Sequence, residues 1–207
     1  MNKTLSWQPE FNFNDIEIRQ REVQYQGYYQ IHTVSLRYKC FSGNWGDWLV
    51  REQVNIAPST AVLLLDPNRK KVVLVEQFRM GGLDQRDTAS PWLLEIVAGY
   101  INENEVPEDA AIREALEEAN AKITKIIPIQ EIFTTPGGFT ERTSIFCGLI
   151  DSQSIGQLGG AKEEHEDIKI HVLDVNDALN LLDHNLLTNA STIIALQWLK
   201  LNRDHLL

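Results

Sequence analysis

GYINENEVPEDAAIREALEEANA, residues 99–121, is the stretch on which the reading of this chain turns. Pro107 suits the first turn of a helix, and neither Gly nor a further Pro interrupts the residues from there to Ala119. Each helical residue advances about 100°. With Glu114 set at zero, Glu117 falls at roughly 300° and Glu118 at about 40°, so the three carboxylates share one arc. Ala111, Ile112, Ala115, Leu116 and Ala119 fall between roughly 60° and 200°, which makes the neighbouring face apolar. Like charges one turn apart weaken a helix by a few tenths of a kcal/mol per pair. Arg113, one turn before Glu117, offsets part of that. Carboxylates gathered this way invite divalent cations, and oxygen donors suit Mg²⁺ or Mn²⁺. Acidic helix faces are also common as plain solvated surface, so the helix by itself leaves both readings open.

On either side of the helix the period is that of strands. Trp92–Ala98 is an apolar run closed by Gly99. Before it, Ala61–Leu65 and Lys71–Phe78 flank an Asp66-Pro67-Asn68 turn and read as a hairpin. After it come strands around Ile126–Phe133 and Ser144–Leu149, a loop over 151–167, and a strand at Ile168–Leu173. Asn176 is expected to cap a short helix, and Thr188 or Asn189 a longer one running through Leu201. Ala190, Ile194, Trp198 and Leu201 form the expected core-facing stripe of that last helix. Isolated helices between strands imply an α/β fold with a mixed sheet covered by helices.

The first part alternates as strands at Val34, Leu36, Tyr38 and Cys40, then at Trp48 and Val50 after a Ser42-Gly43-Asn44 turn. Ala57-Pro58 marks a boundary, dividing the chain into an N-terminal β domain, residues 1–57, and a larger domain, 58–207. The smaller domain is aromatic-rich but too small to bury a good core alone. It is expected to pack on the rest of the chain or on a second subunit, and a homodimer follows.

Composition limits the function. The net charge of -10 repels a phosphate backbone, so general nucleic-acid binding is a poor fit. A phosphate-bearing ligand is still compatible if cations stand between it and the protein. Cys40 and Cys147 are far apart and belong to no CxxC pair, which speaks against a disulfide framework or a structural zinc site. Both are expected to be small buried residues in a reducing compartment. The start, MNKTLSWQPEF, lacks the apolar core of a signal peptide, and no apolar run approaches a membrane span. A cytoplasmic protein is expected.

The spacing Gly99, five residues, Glu105, seven residues, Arg113-Glu114, two residues, Glu117-Glu118 resembles the Nudix box, G-x5-E-x7-R-E-U-x-E-E-x-G-U. Ala115 stands where a larger apolar residue is usual. Asn120 replaces the last Gly, and Asn is the next most tolerant residue of a left-handed helix end. LLLDPNRKKVVLVEQFR (63–79), PWLLEIVAGYI (91–101), TTPGGFTER (134–142), KEEHEDI (162–168) and ASTIIALQWL (190–199) are similar to the ADP-ribose pyrophosphatase branch of that superfamily. Pro136, past the box, is a weaker marker of the same branch.

The resemblance implies a Nudix α/β/α sandwich with a mixed sheet, plus a small N-terminal antiparallel β domain that exchanges with a second subunit. It implies Mg²⁺-dependent hydrolysis of ADP-ribose to AMP and ribose 5-phosphate, with Mn²⁺ as the other metal. Glu114 and Glu118 are the implied metal ligands, with Glu117 alongside and the backbone carbonyl of Ala98 also coordinating. Glu105 and Arg113 are implied supports. In the acidic loop, Glu166 is assigned to metal and Glu164 to the general base, while His165 is read as loop surface. Tyr28, Arg51, Arg79, Thr135 and Glu141 are the candidate substrate contacts, Tyr28 and Arg51 acting across the dimer. The same chemistry on a sugar nucleotide such as GDP-mannose is the alternative. A non-catalytic ADP-ribose sensor on a Nudix fold is the second alternative, against which the intact Glu114, Glu117 and Glu118 argue.

Overall fold

The apolar run at Ala61–Leu65 becomes β4 (Ser59–Asp66), and all eight of its residues are buried. A strand covered on both faces must lie at the centre of a sheet. A computed structural model describes residues 7–84, 90–161 and 165–207. In it the chain forms two units: residues through Ile56 together with Thr135–Glu141, and Ala57–Thr134 together with Arg142–Leu207.

The larger unit is built around β4. It forms the expected hairpin with β5 (Lys71–Phe78), pairing Leu64 with Val73. The two strands then part, and the run after Trp92 fills the gap as two strands rather than one. β6 (Trp92–Glu95) pairs with β5, and β7 (Val97–Tyr100) pairs with β4. β8 (Lys125–Phe133), β9 (Arg142–Leu149), β10 (Leu158–Gly159) and β11 (Ile168–Asp174) complete the sheet in the order β10-β11-β5-β4-β9-β8. The β4–β9 pair is parallel and the others antiparallel, so the sheet is mixed.

Side chains alternate across this sheet. Val62, Leu64, Val73 and Val75 pack against α1 (Pro107–Ala119). Leu63, Leu65 and Leu74 face α2 (Val175–Asp183) and α3 (Ala190–Leu206). This is an α/β/α sandwich, as the sequence implied.

Four local expectations are corrected. On α1 the buried residues are Ala110, Ala111, Ala115, Ala119 and Glu118, while Ile112 and Leu116 are exposed. Small alanines let the helix lie close to the sheet and leave the bulky side chains at its flank. On α3 the buried stripe is Thr192, Ala195, Leu196 and Leu199. Ala190 and Leu201 are exposed, and Ile194 and Trp198 only partly buried. This helix runs past Leu201 and carries apolar residues on most sides, so the pattern alone does not select its inner face. The N-cap of α2 is Asp174, not Asn176; the amide of Val175 donates to the Lys70 carbonyl at 3.0 Å, which fixes the helix start on the β4–β5 turn. Cys147 is buried as expected, its thiol pushed up to about 12 by burial, but Cys40 is only half-buried. Among the described residues no helix is long and apolar enough to cross a membrane.

The smaller unit is a three-stranded antiparallel sheet of β1 (Ile16–Gln26), β2 (Gln30–Tyr38) and β3 (Leu49–Asn55). Val34 is the one fully buried apolar side chain among its described residues. Trp48 packs under cations instead of in a core, with Arg19 at 3.9 Å and Arg37 at 5.0 Å from its ring. The segment Thr135–Glu141 joins this unit through β3. Val54 accepts from the Thr140 amide and donates to the Gly138 carbonyl, at 3.1 and 2.8 Å.

Candidate active site

The end of α1 is set by Asn120, in the left-handed region at φ 51°, ψ 32°. Its amide donates to the Leu116 carbonyl at 3.0 Å, and the Ala121 amide reaches the Ala115 carbonyl at 2.9 Å. Asn therefore ends the helix where the motif has Gly.

Arg113 organises the outer side of the cluster. Its Nε and Nη2 donate to both oxygens of Glu105 at 2.9 and 3.0 Å, and Nη2 also reaches the Tyr100 carbonyl at 2.9 Å. Its Nη1 donates to Glu114 at 2.6 Å and Glu117 at 3.0 Å. The bond from Arg113, with another from the Asn102 amide, holds Glu105 down at about 2. One guanidinium thus fixes three carboxylates, which is how a support sets the rotamer of a ligand.

Among the described residues the inner side has no such cation. Glu118 is 1% exposed. Its Oε2 accepts from the Ala98 amide at 3.1 Å and its Oε1 from Gln77 Nε2 at 3.2 Å. Burial pushes this carboxyl up to about 8 against those two bonds, and the charges of Glu166 and Glu114 push the same way. Burial also raises Glu114, opposed by Arg113 and reinforced by Glu117 and Glu166. A Cβ at Gly99 would stand 1.9 Å from Oε1 of Glu114, so a side chain there would displace that carboxylate.

The loop carrying Glu166 is fastened to the same helix. The Gly160 amide donates to the Glu117 carbonyl at 3.1 Å. Gly159 lies so close that a Cβ there would stand 1.9 Å from the Glu118 carbonyl oxygen. Glu166 closes the turn by accepting from the Ala161 amide at 3.0 Å. Glu164 lies outside the described residues. His165 is in the left-handed region at φ 57°, and His171 bonds Glu76 at 2.8 Å.

Arg79 belongs to this unit, beyond the end of β5. Its Nε donates to Glu95 at 2.6 Å. The register Val75↔Glu95 puts Glu95 on the sheet face that carries Val75 and Gln77, the face that α1 covers. Sequence reasoning missed Glu95 and Gln77. The available signal was an acid inside the apolar run WLLEIVAG, which is costly to bury without a partner.

The structure thus brings Ala98, Arg113, Glu114, Glu117, Glu118 and Glu166 together. Tyr28, Arg51, Thr135 and Glu141 belong to the smaller unit. Tyr28 is exposed and meets Tyr29 edge-on at 4.9 Å. Arg51 donates to the Val50 carbonyl at 2.9 Å. The Thr135 carbonyl accepts from the amides of Gly138 and Phe139, forming a turn.

A divalent cation fits these residues. The donors are hard oxygens, and Glu114 and Glu118, raised first by burial and then by neighbouring carboxylates, gain most from a positive ion. Among the described residues no three acidic, histidine or cysteine side chains already form a chelate. Glu118 is turned onto Ala98 and Gln77, and Glu114 onto Arg113.

The model of the NUDIX domain matches residues 56–196, which include the helix, the acidic loop and the whole of the sheet. The chain belongs to the Nudix family. Among its relatives, the ADP-ribose pyrophosphatase of Escherichia coli K12 is 38% identical over 196 residues, covering 95% of this chain and 93% of the relative. The ADP-ribose pyrophosphatase of Haemophilus influenzae is 35% identical over 201 residues, covering 97% and 93%. The GDP-mannose pyrophosphatase of Cronobacter sakazakii is 31% identical over 151 residues, covering 73% and 78%.

Proposed function

We propose that this Nudix hydrolase cleaves the diphosphate of ADP-ribose with water, giving AMP and ribose 5-phosphate. The observation that carries the reaction class is the carboxylate cluster beside Ala98, in which Glu118 is buried and Glu114 and Glu166 are partly buried. The higher identity to ADP-ribose pyrophosphatases, in alignments that cover 95% and 97% of the chain, favours the substrate.

In this reading Glu114, Glu118, Glu166 and the Ala98 carbonyl hold the cations, and Glu117 stands alongside. Divalent ions held there, Mg²⁺ first and Mn²⁺ as the alternative, would supply positive charge to the diphosphate and lower the pKa of a water for hydrolysis. Arg113 keeps Glu114 and Glu117 in place through its bonds to both. Glu164 takes the proton of the attacking water, a contribution of about 10²–10⁴ in rate. Arg79 contacts the diphosphate, as an arginine does through its planar donors.

Tyr28, Arg51, Thr135 and Glu141 contact the substrate from the smaller unit, Tyr28 and Arg51 across a homodimer. The exposed Ile18, Val23, Tyr25 and Tyr28 support a partner for this sheet, which buries almost no core of its own. Light scattering at micromolar concentration should give a dimer, and a monomer would remove the cross-subunit contacts.

The test of function is a panel of nucleotide sugars incubated with Mg²⁺, with products resolved by chromatography. ADP-ribose should have the highest kcat/KM and yield AMP and ribose 5-phosphate in equal amounts. A preference for GDP-mannose would replace the substrate, and binding without turnover would make the chain a sensor.

A further inference from the structure

We infer that Glu95 is a positioning residue that sets Arg79 for the substrate, and that the cap of α3 holds Glu95 in turn. The inference rests on the reading of Arg79 as a diphosphate contact.

Glu95 is 2% exposed, and both of its oxygens are engaged. Oε2 accepts from Arg79 Nε at 2.6 Å, and Oε1 accepts from Asn189 Nδ2 at 2.6 Å. Asn189 is the N-cap of α3. Its Oδ1 accepts from both the amide and the hydroxyl of Thr192 at 2.9 Å. The Thr192 hydroxyl oxygen accepts from the Ile96 amide at 2.9 Å, which returns the chain of bonds to the residue after Glu95. Asn189 therefore has no second orientation: its oxygen serves the cap, and its amide nitrogen must donate to Glu95. The carboxylate is locked from behind.

The burial is unequal across the Arg79 pair. The Glu95 side chain is 3% exposed and the Arg79 side chain 39%. A buried acid joined to a half-exposed guanidinium fixes the orientation of that guanidinium. The bond uses Nε, and the two Nη groups take no part in it. The partner strand places the pair on the α1 face, where Gln77, two residues before Arg79, meets Glu118. Glu95 touches no substrate in this scheme. It selects the direction from which Arg79 approaches the diphosphate beside the carboxylate cluster.

A clamp that merely ties α3 to the sheet would use the same bonds, so the test separates the two. Glu95→Gln, Arg79→Ala and the double variant are compared on whichever nucleotide sugar the parent cleaves fastest. The substrate assignment fails separately, if that sugar is not ADP-ribose. Arg79→Ala and Glu95→Gln should each lower kcat/KM about tenfold or more, mainly through KM. In the Arg79→Ala background the Glu95 substitution should add nothing to that loss, although thermal melting still reports its effect on packing. Should Glu95→Gln not fold, Glu95→Asp keeps the charge, withdraws it by one methylene and enters the same cycle. Additive losses in the double variant overturn the inference. So does an Arg79→Ala enzyme as active as the parent, or a Glu95 variant that melts lower with unchanged KM.

Discussion

The turn between β4 and β5 and the inner face of α1 each seal a carboxylate from water, and the two acids respond in opposite directions. Asp66 is 0% exposed and Glu118 1%. Burial raises both. At Asp66 it is outweighed by the amide and hydroxyl of Ser152 and by the amide and guanidinium of Arg69, which bring the group down to about 2. At Glu118 the described residues supply two neutral donors, with Glu114 and Glu166 as neighbours, and the group stands at about 8. Burial alone therefore does not set the state of either acid. The Asp66 site is complete, and it ties the turn to the segment at Ser152. Among the described residues no cation bonds Glu118, and a divalent ion would supply that charge.

The widest separation between the two should appear in turnover. Glu118→Gln and Glu114→Gln are expected to lower kcat by orders of magnitude with the fold intact, because they remove charge from the cation site and little packing. Glu166→Gln should lose less and recover in part as Mg²⁺ is raised, since a lost ligand weakens affinity. Asp66→Asn in the folded enzyme should turn over like the parent. Initial rates against Mg²⁺ concentration check all four, and a near-normal Glu118→Gln enzyme would break the comparison.

Stability should order them the other way. Asp66→Asn leaves donors of Ser152 or Arg69 unmatched and should cost about 1–3 kcal/mol. Its folded value lies below the ordinary 3.8, so its contribution is present above that pH and is lost as pH falls toward 2. Glu118 has the reverse sign. Raised from 4.5, it favours the fold below pH 4.5, and that advantage disappears as pH rises through about 8. The metal-free protein should therefore melt lower at pH 8 than at pH 6. Glu118→Gln should flatten that slope, and divalent cations should remove it in the parent. Calorimetry across this range with and without Mg²⁺ is the measurement. A slope unchanged by Glu118→Gln would mean that another group carries it.

How far this contrast could be read from sequence differs between the two acids. The box glutamates announce themselves because the helix period places Glu114, Glu117 and Glu118 on one arc, with Gly99, Glu105 and Arg113 at motif spacing. Asp66 reads only as part of an Asp-Pro-Asn turn, since its donors at Ser152 are 86 residues away. Glu95 was hidden for a related reason: its partners are Arg79 and Asn189, 16 and 94 residues distant. The exposure of Ile112 and Leu116 and the inner stripe of α3 depended on how closely each helix approaches the sheet, which periodicity does not encode. The strand order was not legible either. The hairpin was clear locally, but the run after Trp92 divides between β5 and β4, and only the tertiary register shows the break at Ile96.

The smallest expected effect isolates the helix end from the charges it carries. Asn120 follows Glu118 by two residues and holds φ at 51°. Asn120→Gly keeps the left-handed turn accessible, so both terminal bonds to Leu116 and Ala115 should persist. Glycine adds freedom to the unfolded chain, so a loss of up to about 1 kcal/mol is the most expected. Asn120→Val meets the side-chain clash that penalises this region and should cost about 1–2 kcal/mol. Neither touches a carboxylate. If the state of Glu118 is set by its donors and neighbours, both variants should keep the parent's rate and its pH slope of stability while differing in melting temperature. A folded Asn120→Gly protein with lost turnover would instead show that the position of the carboxylates depends on this one residue, and the contrast with Asp66 would then rest on backbone geometry rather than on charge.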